Sequence, residues 1–229
     1  MKIQGSVIFV FLLISHLICA QNEIKLSIKT TFDKIPLDLE TNTYQLHDGD
    51  SIQFETVKFY ISSVVLLSNE KEVWRAQNSY YLIDVEKLET EEIRLKTDKS
   101  FDFDQIRFTI GIDSTTNVSG ALGGDLDPTN GMYWTWDNGY INFKIEGKSK
   151  PRNTKSNRFE FHIGGYKKAF NAARNVTLSI TGKSEIKVVL DLKEVFKNLD
   201  TTKPNLILSP GKESVHFSDK LAMGFKIIN

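Results

Sequence analysis

The chain has 229 residues, with 29 Lys+Arg against 29 Asp+Glu, a formal net charge of zero, 40% hydrophobic and 25% charged residues. That balance excludes a disordered polyelectrolyte, and it leaves no cationic surplus for phosphates or an anionic bilayer, so nucleic acid is not an expected partner. With 15 Phe, 7 Tyr and 3 Trp, the chain can bury a sizeable core in one domain.

Residues 1–20 read as a secretory signal peptide. Lys2 gives the basic start, and residues 7–14 form an apolar run too short to span a bilayer with its flanks. Ala20 supplies the small residue before the polar Gln21-Asn22-Glu23. Cleavage is expected after Ala20, leaving a single domain at 21–229 in the periplasm or at the cell surface. The alternative, lipid attachment at Cys19, meets Ile18 where such signals carry a small residue. Removing the leader takes away Lys2 and Cys19, so the mature chain has 28 basic and 29 acidic side chains and no cysteine. Disulfides, thiolate ligands and a cysteine nucleophile are thereby excluded. No second long apolar run predicts a membrane span.

In the mature chain, Ile24, Leu26 and Ile28 alternate with polar residues, the period of a half-buried strand. Asp48-Gly49-Asp50 signals a turn. Ile52 and Phe54 alternate, the period slips before Val57, Phe59 and Ile61, and residues 64–67 are all apolar; this predicts a bulge or two strands. Further strands are predicted at 73–75, 80–85, 92–96, 105–112, 132–146, 158–163, 175–180, 186–192 and 224–228. A single helix is predicted at 191–199, with Asp191 as its cap and Leu192, Val195, Phe196 and Leu199 on one face. Residues 113–131 show little periodicity and read as a long loop. The expected fold is all-β: an antiparallel β-sandwich with one short helix in the C-terminal half and a long loop around 113–131.

That loop leads into Gly131-Met132-Tyr133-Trp134-Thr135-Trp136-Asp137-Asn138-Gly139-Tyr140. On a strand, Trp134, Trp136 and Asn138 share one face. Paired indoles there form either a core plug or a platform. The mature histidines are His47, His162 and His216. The alternation of Phe159, Phe161 and Ile163 turns His162 to the opposite face, with Glu160 and Gly164. His216 lies between apolar neighbours in Ser214-Val215-His216-Phe217, and His47 precedes the turn at 48–50. Without cysteine, imidazole is the main borderline ligand, suited to copper, zinc, iron and nickel. No H-x-x-x-H pair occurs, so a metal site must be assembled in space from distant histidines. Asp125-x-Asp127 matches a fragment of a calcium loop, and turn chemistry explains it equally well. No phosphate loop, nucleophile elbow or glycosidase pair stands out, so no enzymatic turnover is expected.

Several segments together resemble the MbnP-like family of bacterial copper-binding proteins. They are Phe59-Tyr60-Ile61-Ser62, Tyr81-Leu82-Ile83-Asp84, Gly111-Ile112-Asp113-Ser114, Leu126-Asp127-Pro128, Gly131-Met132-Tyr133-Trp134-Thr135-Trp136 with Gly139-Tyr140, Glu146-Gly147 and His162-Ile163-Gly164. The resemblance implies an exported protein that binds copper without turnover. In characterised relatives a tryptophan is oxidised to kynurenine and helps histidine bind copper, and in the MbnP case a dihaem partner of the MauG and cytochrome c peroxidase type performs the oxidation. Kynurenine carries an aryl amine that donates nitrogen where indole does not. The resemblance thus implies Trp134 and Trp136 as the modified candidates and, with His162, His216 and His47, as the copper-site candidates. Some relatives carry a histidine two residues after the modified tryptophan. Here those places hold Trp136 and Asn138, which leaves fewer nitrogen donors.

Two other readings stand beside this one. In the first, Trp134, Trp136 and Tyr140 form an aromatic platform for carbohydrate or a protein partner, which requires solvent-facing indoles. In the second, Trp134 or Trp136 is a redox relay for a haem partner.

Overall fold

The computed structural model describes residues 22–46, 49–150, 158–181, 184–197 and 205–228. The expected leader with Cys19, and the candidate ligand His47, lie outside the described residues. In chain order the elements are β1 (Asn22–Phe32), β2 (Ile35–Pro36), β3 (Tyr44–Gln45), β4 (Ser51–Ser68), β5 (Lys71–Arg75), β6 (Tyr80–Asp84), β7 (Glu92–Thr97) and β8 (Gln105–Ile110). Helix α1 (Ser114–Val118), β9 (Tyr133–Trp134), β10 (Gly139–Lys150), β11 (Arg158–Gly164), β12 (Arg174–Ser179) and β13 (Glu185–Asp191) follow. The chain then runs through α2 (Leu192–Phe196), β14 (Asn205–Ile207), α3 (Lys212–Met223) and β15 (Phe225–Ile227). Among the described residues no helix is long and apolar enough to cross a membrane.

Two sheets result, and the all-β sandwich read from the alternation is what forms. The smaller has the order β15-β13-β1, with β7 and β2 pairing successive stretches of β1. The larger runs β12-β8-β4-β10-β11-β14, with β3, β5 and β6 paired to β4 and β9 to β10. Pairing is mainly antiparallel; β1 with β13 and β11 with β14 are parallel. The sheets meet through aromatic side chains. Phe225 of the small sheet sits edge-on to Phe59 at 6.0 Å and to Phe108 at 5.4 Å, while Phe59 stacks on Phe143 at 4.8 Å. Such contacts bury large apolar area and fix ring orientation.

The predicted slip after Phe54 is a bulge. Thr56 faces Glu146 and Phe54 faces Gly147, so Glu55 is the extra residue. Gly147 is required there, because a Cβ would lie 2.2 Å from the Gln53 carbonyl oxygen and 2.5 Å from the Phe159 ring. Helix α2 matches expectation in kind: Asp191 accepts the Lys193 backbone N–H at 3.1 Å, and Leu192, Val195 and Phe196 are buried. Leu199 lies outside the described residues.

Three expectations need correction. Helix α3 was not anticipated. Its buried stripe is Ser214, Phe217, Ser218 and Leu221, and two serines in four places hide the helical period from a hydrophobicity reading. His216, between Val215 and Phe217 in sequence, lies on the exposed side of this helix. The stretch 113–131 is a structured cap, with α1 and two single 3-10 turns at Gly124–Leu126 and Pro128–Asn130. Finally, 132–146 is not one strand. The chain reverses over residues 135–138, where Asn138 adopts φ 50°, and β10 begins at Gly139.

Candidate functional site

Phe59 and Ile61 point into the sandwich, so Tyr60 between them points to the outer face of the large sheet. There it joins a second buried cluster with Ile112, Leu126, Met132, Trp134, Tyr140 and Ile141. The cap at 113–131 covers this cluster and is pinned to the strands. Tyr60 Oη donates to the Asp125 carbonyl at 2.9 Å, and the Leu82 N–H donates to Asp125 Oδ2 at 2.9 Å. The Tyr140 N–H donates to Asn117 Oδ1 at 2.8 Å, and Tyr140 Oη accepts from the Leu122 N–H at 2.9 Å. Burial pushes the phenols of Tyr60 and Tyr140 up, so both stay protonated. Asp113 caps α1, taking the Thr116 N–H at 2.9 Å and hydroxyls from Thr116 and Tyr80 at 2.8 Å. Burial pushes its carboxyl up, but those hydrogen bonds outweigh the burial and hold it below the usual carboxylate range.

Gly111 makes the turn into this cap possible. It adopts φ +100°, and a Cβ there would sit 2.3 Å from Asn142 Cγ. Asp127 accepts the Thr129 N–H at 2.8 Å and its hydroxyl at 2.7 Å. Turn chemistry therefore accounts for Asp127, and the bond to the Leu82 N–H for Asp125.

The turn at 135–138 separates the two tryptophans in exposure while keeping them in contact. Trp134 is 6% exposed and Trp136 63% exposed. Their ring centroids lie 5.7 Å apart at an interplanar angle of 46°. Trp134 presses on Gly164 of β11, where a Cβ would be 2.6 Å from Cζ3 and 2.9 Å from Cη2. Strand alternation puts that Cβ direction on the same face as His162, about 7 Å along the strand. Trp134 thus lies over the face of β11 that carries His162, the face read from the Phe159, Phe161 and Ile163 alternation.

His162 is half-buried, and its Nε2 is 2.7 Å from Glu146 Oε1 on β10. Lys144, the cross-strand partner of His162, is 3.4 Å from the same oxygen. The His162 hydrogen bond is the main force lowering the Glu146 carboxyl to about 2; burial opposes it and Lys144 adds to it. In the neutral tautomer whose Nε2 donates to the carboxylate, Nδ1 is the ring nitrogen that carries the lone pair.

His216 is exposed on α3, whose buried side meets β11 through the Phe217–Phe161 contact at 4.7 Å and through Ser214, which bonds Gly164 N–H and C=O at 3.0 and 2.8 Å. Among the described residues, no three His, Cys, Asp or Glu side chains gather as a metal-binding group. At the Trp134 face the described residues offer the His162 imidazole and a Glu146 carboxylate already committed to His162 and Lys144. Indole nitrogen contributes no free lone pair. Among the described residues, the side chains at this face do not by themselves fit a copper ion.

Beside Trp136 the surface opens into a cleft of about 280 Å³, lined also by Asp137, Tyr166, Lys167, Phe170, Ser209 and Pro210. Sequence reading missed most of this lining and also missed Glu146 as the partner of His162. The only signal for the latter was the register of the β10–β11 hairpin, which alternation within either strand does not reveal. Tyr140, expected in a platform, is instead 1% exposed.

The MbnP family model matches residues 21–212 of this chain. Among solved structures, MbnP from Methylosinus trichosporium superposes with a TM-score of 0.59 at 13% sequence identity, over 83% of this chain and 82% of that one. That likeness concerns the fold. A search of curated proteins finds no match. The family match runs from β1 through β14 and includes the cap at 113–131 and the tryptophan turn, ending where α3 begins: the chain belongs to the MbnP family.

Proposed function

We propose that this chain is an exported copper-binding protein, acting without turnover, whose metal site is completed only when Trp134 or Trp136 is oxidised to kynurenine by a dihaem partner of the MauG and cytochrome c peroxidase type. The reading rests on the family resemblance and on one observation in particular: exposed Trp136 touches buried Trp134, and Trp134 overlies the His162 face of β11. An oxidant too large to enter the fold needs an exposed aromatic to reach, and Trp136 provides it. Conversion of indole to kynurenine breaks the C2–C3 bond and adds two oxygen atoms, a four-electron oxidation that two equivalents of peroxide supply with release of two waters. Hydrolysis then removes C2 as formate. The aryl amine left behind is a nitrogen donor that the described side chains at this face lack, and His162, on the same face of β11, is the encoded nitrogen that would complement it. Copper, when bound, supplies the soft-to-borderline acceptor for these nitrogens.

The test is metal analysis and intact mass on protein exported by its native host. The expected result is bound copper together with a gain of about 4 Da on the peptide holding Trp134 and Trp136, the covalent change that kynurenine formation makes. His162→Ala should lose the copper and keep the mass change. Protein from a host without the partner should show neither. Native protein of unmodified mass that carries no copper overturns the reading. Tight copper binding by the unmodified chain overturns the requirement for oxidation.

A further inference from the structure

Trp136 serves no core, at 63% exposed, yet it is held in place. Trp134 packs on one side of it at 5.7 Å, and the left-handed Asn138 fixes the turn that presents it. The opposite wall of the adjoining cleft is built by a second tight turn. Gly165 adopts φ +123°, and a Cβ there would lie 2.3 Å from the Phe170 carbonyl oxygen. That close approach brings Tyr166, Lys167 and Phe170 beside the tryptophan turn. Phe170 is itself 37% exposed. Asp137 and Lys167 are 3.4 Å apart, and Ser209 completes the polar part of the lining.

We propose that this cleft binds a single neutral hexopyranose unit of a carbohydrate. The recognition chemistry has three parts. A flat, solvent-facing indole matches the C–H face of a pyranose ring, which is apolar although the ring's edge is not. The Asp137 carboxylate accepts from hydroxyls, while Lys167 and Ser209 donate to hydroxyl and ring oxygens. The carboxylate and ammonium cancel each other's charge, so the cleft favours neither an anionic nor a cationic ligand. At about 280 Å³ the space falls just below the range for drug-sized ligands, roughly 300–1,000 Å³, and suits one ring. An aromatic side chain from a protein partner would fill the apolar part but bring no hydroxyls for Asp137, the less exposed member of the pair, whereas a sugar supplies them. The inference does not depend on copper, and it concerns the chain with Trp136 unoxidised, since kynurenine formation there would remove the indole face.

The experiment uses the mature chain with intact mass equal to the unmodified sequence, in the presence of a chelator. The probes are the methyl glycosides of glucose, galactose, mannose and N-acetylglucosamine, with their linear hexasaccharides where available. Saturation-transfer NMR and calorimetry report binding. At least one sugar should bind saturably with a Kd near or below about 1 mM, an ordinary affinity for a single-ring site of this kind. Trp136→Ala should weaken it at least tenfold, Trp136→Phe by less, and Asp137→Asn should weaken it with circular dichroism unchanged. The proposal fails if no probe binds below about 50 mM, equivalent to less than 2 kcal/mol of binding free energy. It also fails if Trp136→Ala and Asp137→Asn both bind like the parent, or if a tryptophan-bearing peptide binds more tightly than every sugar. Because the protein is metal-free and unmodified, none of these outcomes bears on the copper reading.

Discussion

Trp134 and Trp136 have the same side chain two positions apart and opposite energetic roles. Trp134 fills the outer cluster and lies against the Gly164 backbone, so truncation leaves a large void. Trp134→Ala should cost about 3–5 kcal/mol, the range for a buried aromatic, whereas Trp136→Ala should stay within about 0.5 kcal/mol, as exposed positions do. Urea unfolding of the two variants checks this, and equal losses would show that the turn, not burial, anchors the pair. The same two residues mark where sequence reading stopped short. Period-two alternation placed both indoles on one strand face, because the aromatic run outweighed the punctuation after it. Asp137-Asn138-Gly139 is a turn signal of the kind that closes hairpins, and Asn138 does take the left-handed conformation. His162 went the other way: three alternating apolar neighbours fixed its face from sequence alone, and the burial pattern of β11 follows that reading.

Among the elements, β4 was legible in the sequence because its irregularity interrupts a strict period. Glu55, the bulged residue, would leave a carboxylate beside the outer face without a ladder partner, and the fold answers with cations from the adjacent β10, Lys148, and from β11 beyond it, Arg158. The Lys148 hydrogen bond is the first cause holding the Glu55 carboxyl below its ordinary value of 4.5, with burial opposing and Arg158 assisting. A carboxylate lowered in the folded state stabilises the fold fully above its unfolded value, and that contribution disappears as pH falls through the folded value. Glu55→Gln should therefore lower the melting temperature near neutral pH, and the difference from the parent should shrink as pH drops below about 4.5, the unfolded carboxylate's range. A constant difference down to acid pH would assign the effect to packing at the bulge. Helix α3 was illegible for a different reason. Its contact with β11 is polar where it matters most, through the two Ser214 hydrogen bonds to Gly164, and no hydrophobic pattern encodes a serine that grips a neighbouring strand.

Across the whole molecule, the large sheet carries two separate apolar clusters, one on each face. The inner one is the sandwich core, joined to the small sheet through Phe225, and the outer one is roofed by the cap at 113–131. The sequence segments that suggested the family converge on the outer side: Tyr60, Leu82, Gly111, Asp113, Asp127, Trp134 and Gly164 all take part in building or seating the roof. None is adjacent to the others in the chain, so their common purpose appears only once β4, β6, β8, β10 and β11 lie side by side. This arrangement makes the roof separable from the sandwich. Asp125 Oδ2 holds the Leu82 N–H, an edge donor of β6 that has turned away from β4. Asp125→Ala should free that amide and loosen the cap, raising hydrogen exchange at Leu82 and across 113–131 by about 5–30-fold, the equivalent of roughly 1–2 kcal/mol for a lost charge-assisted bond. The strands β1, β13 and β15 should exchange as before. Phe225→Ala, which removes the aromatic bridge between the sheets, should instead raise exchange on both faces together, because global unfolding then becomes the common route by which every protected amide opens. If Asp125→Ala loosens the small sheet as much as the cap, the two clusters unfold as one cooperative unit, and the cap is as much a part of the fold's stability as the core beneath it.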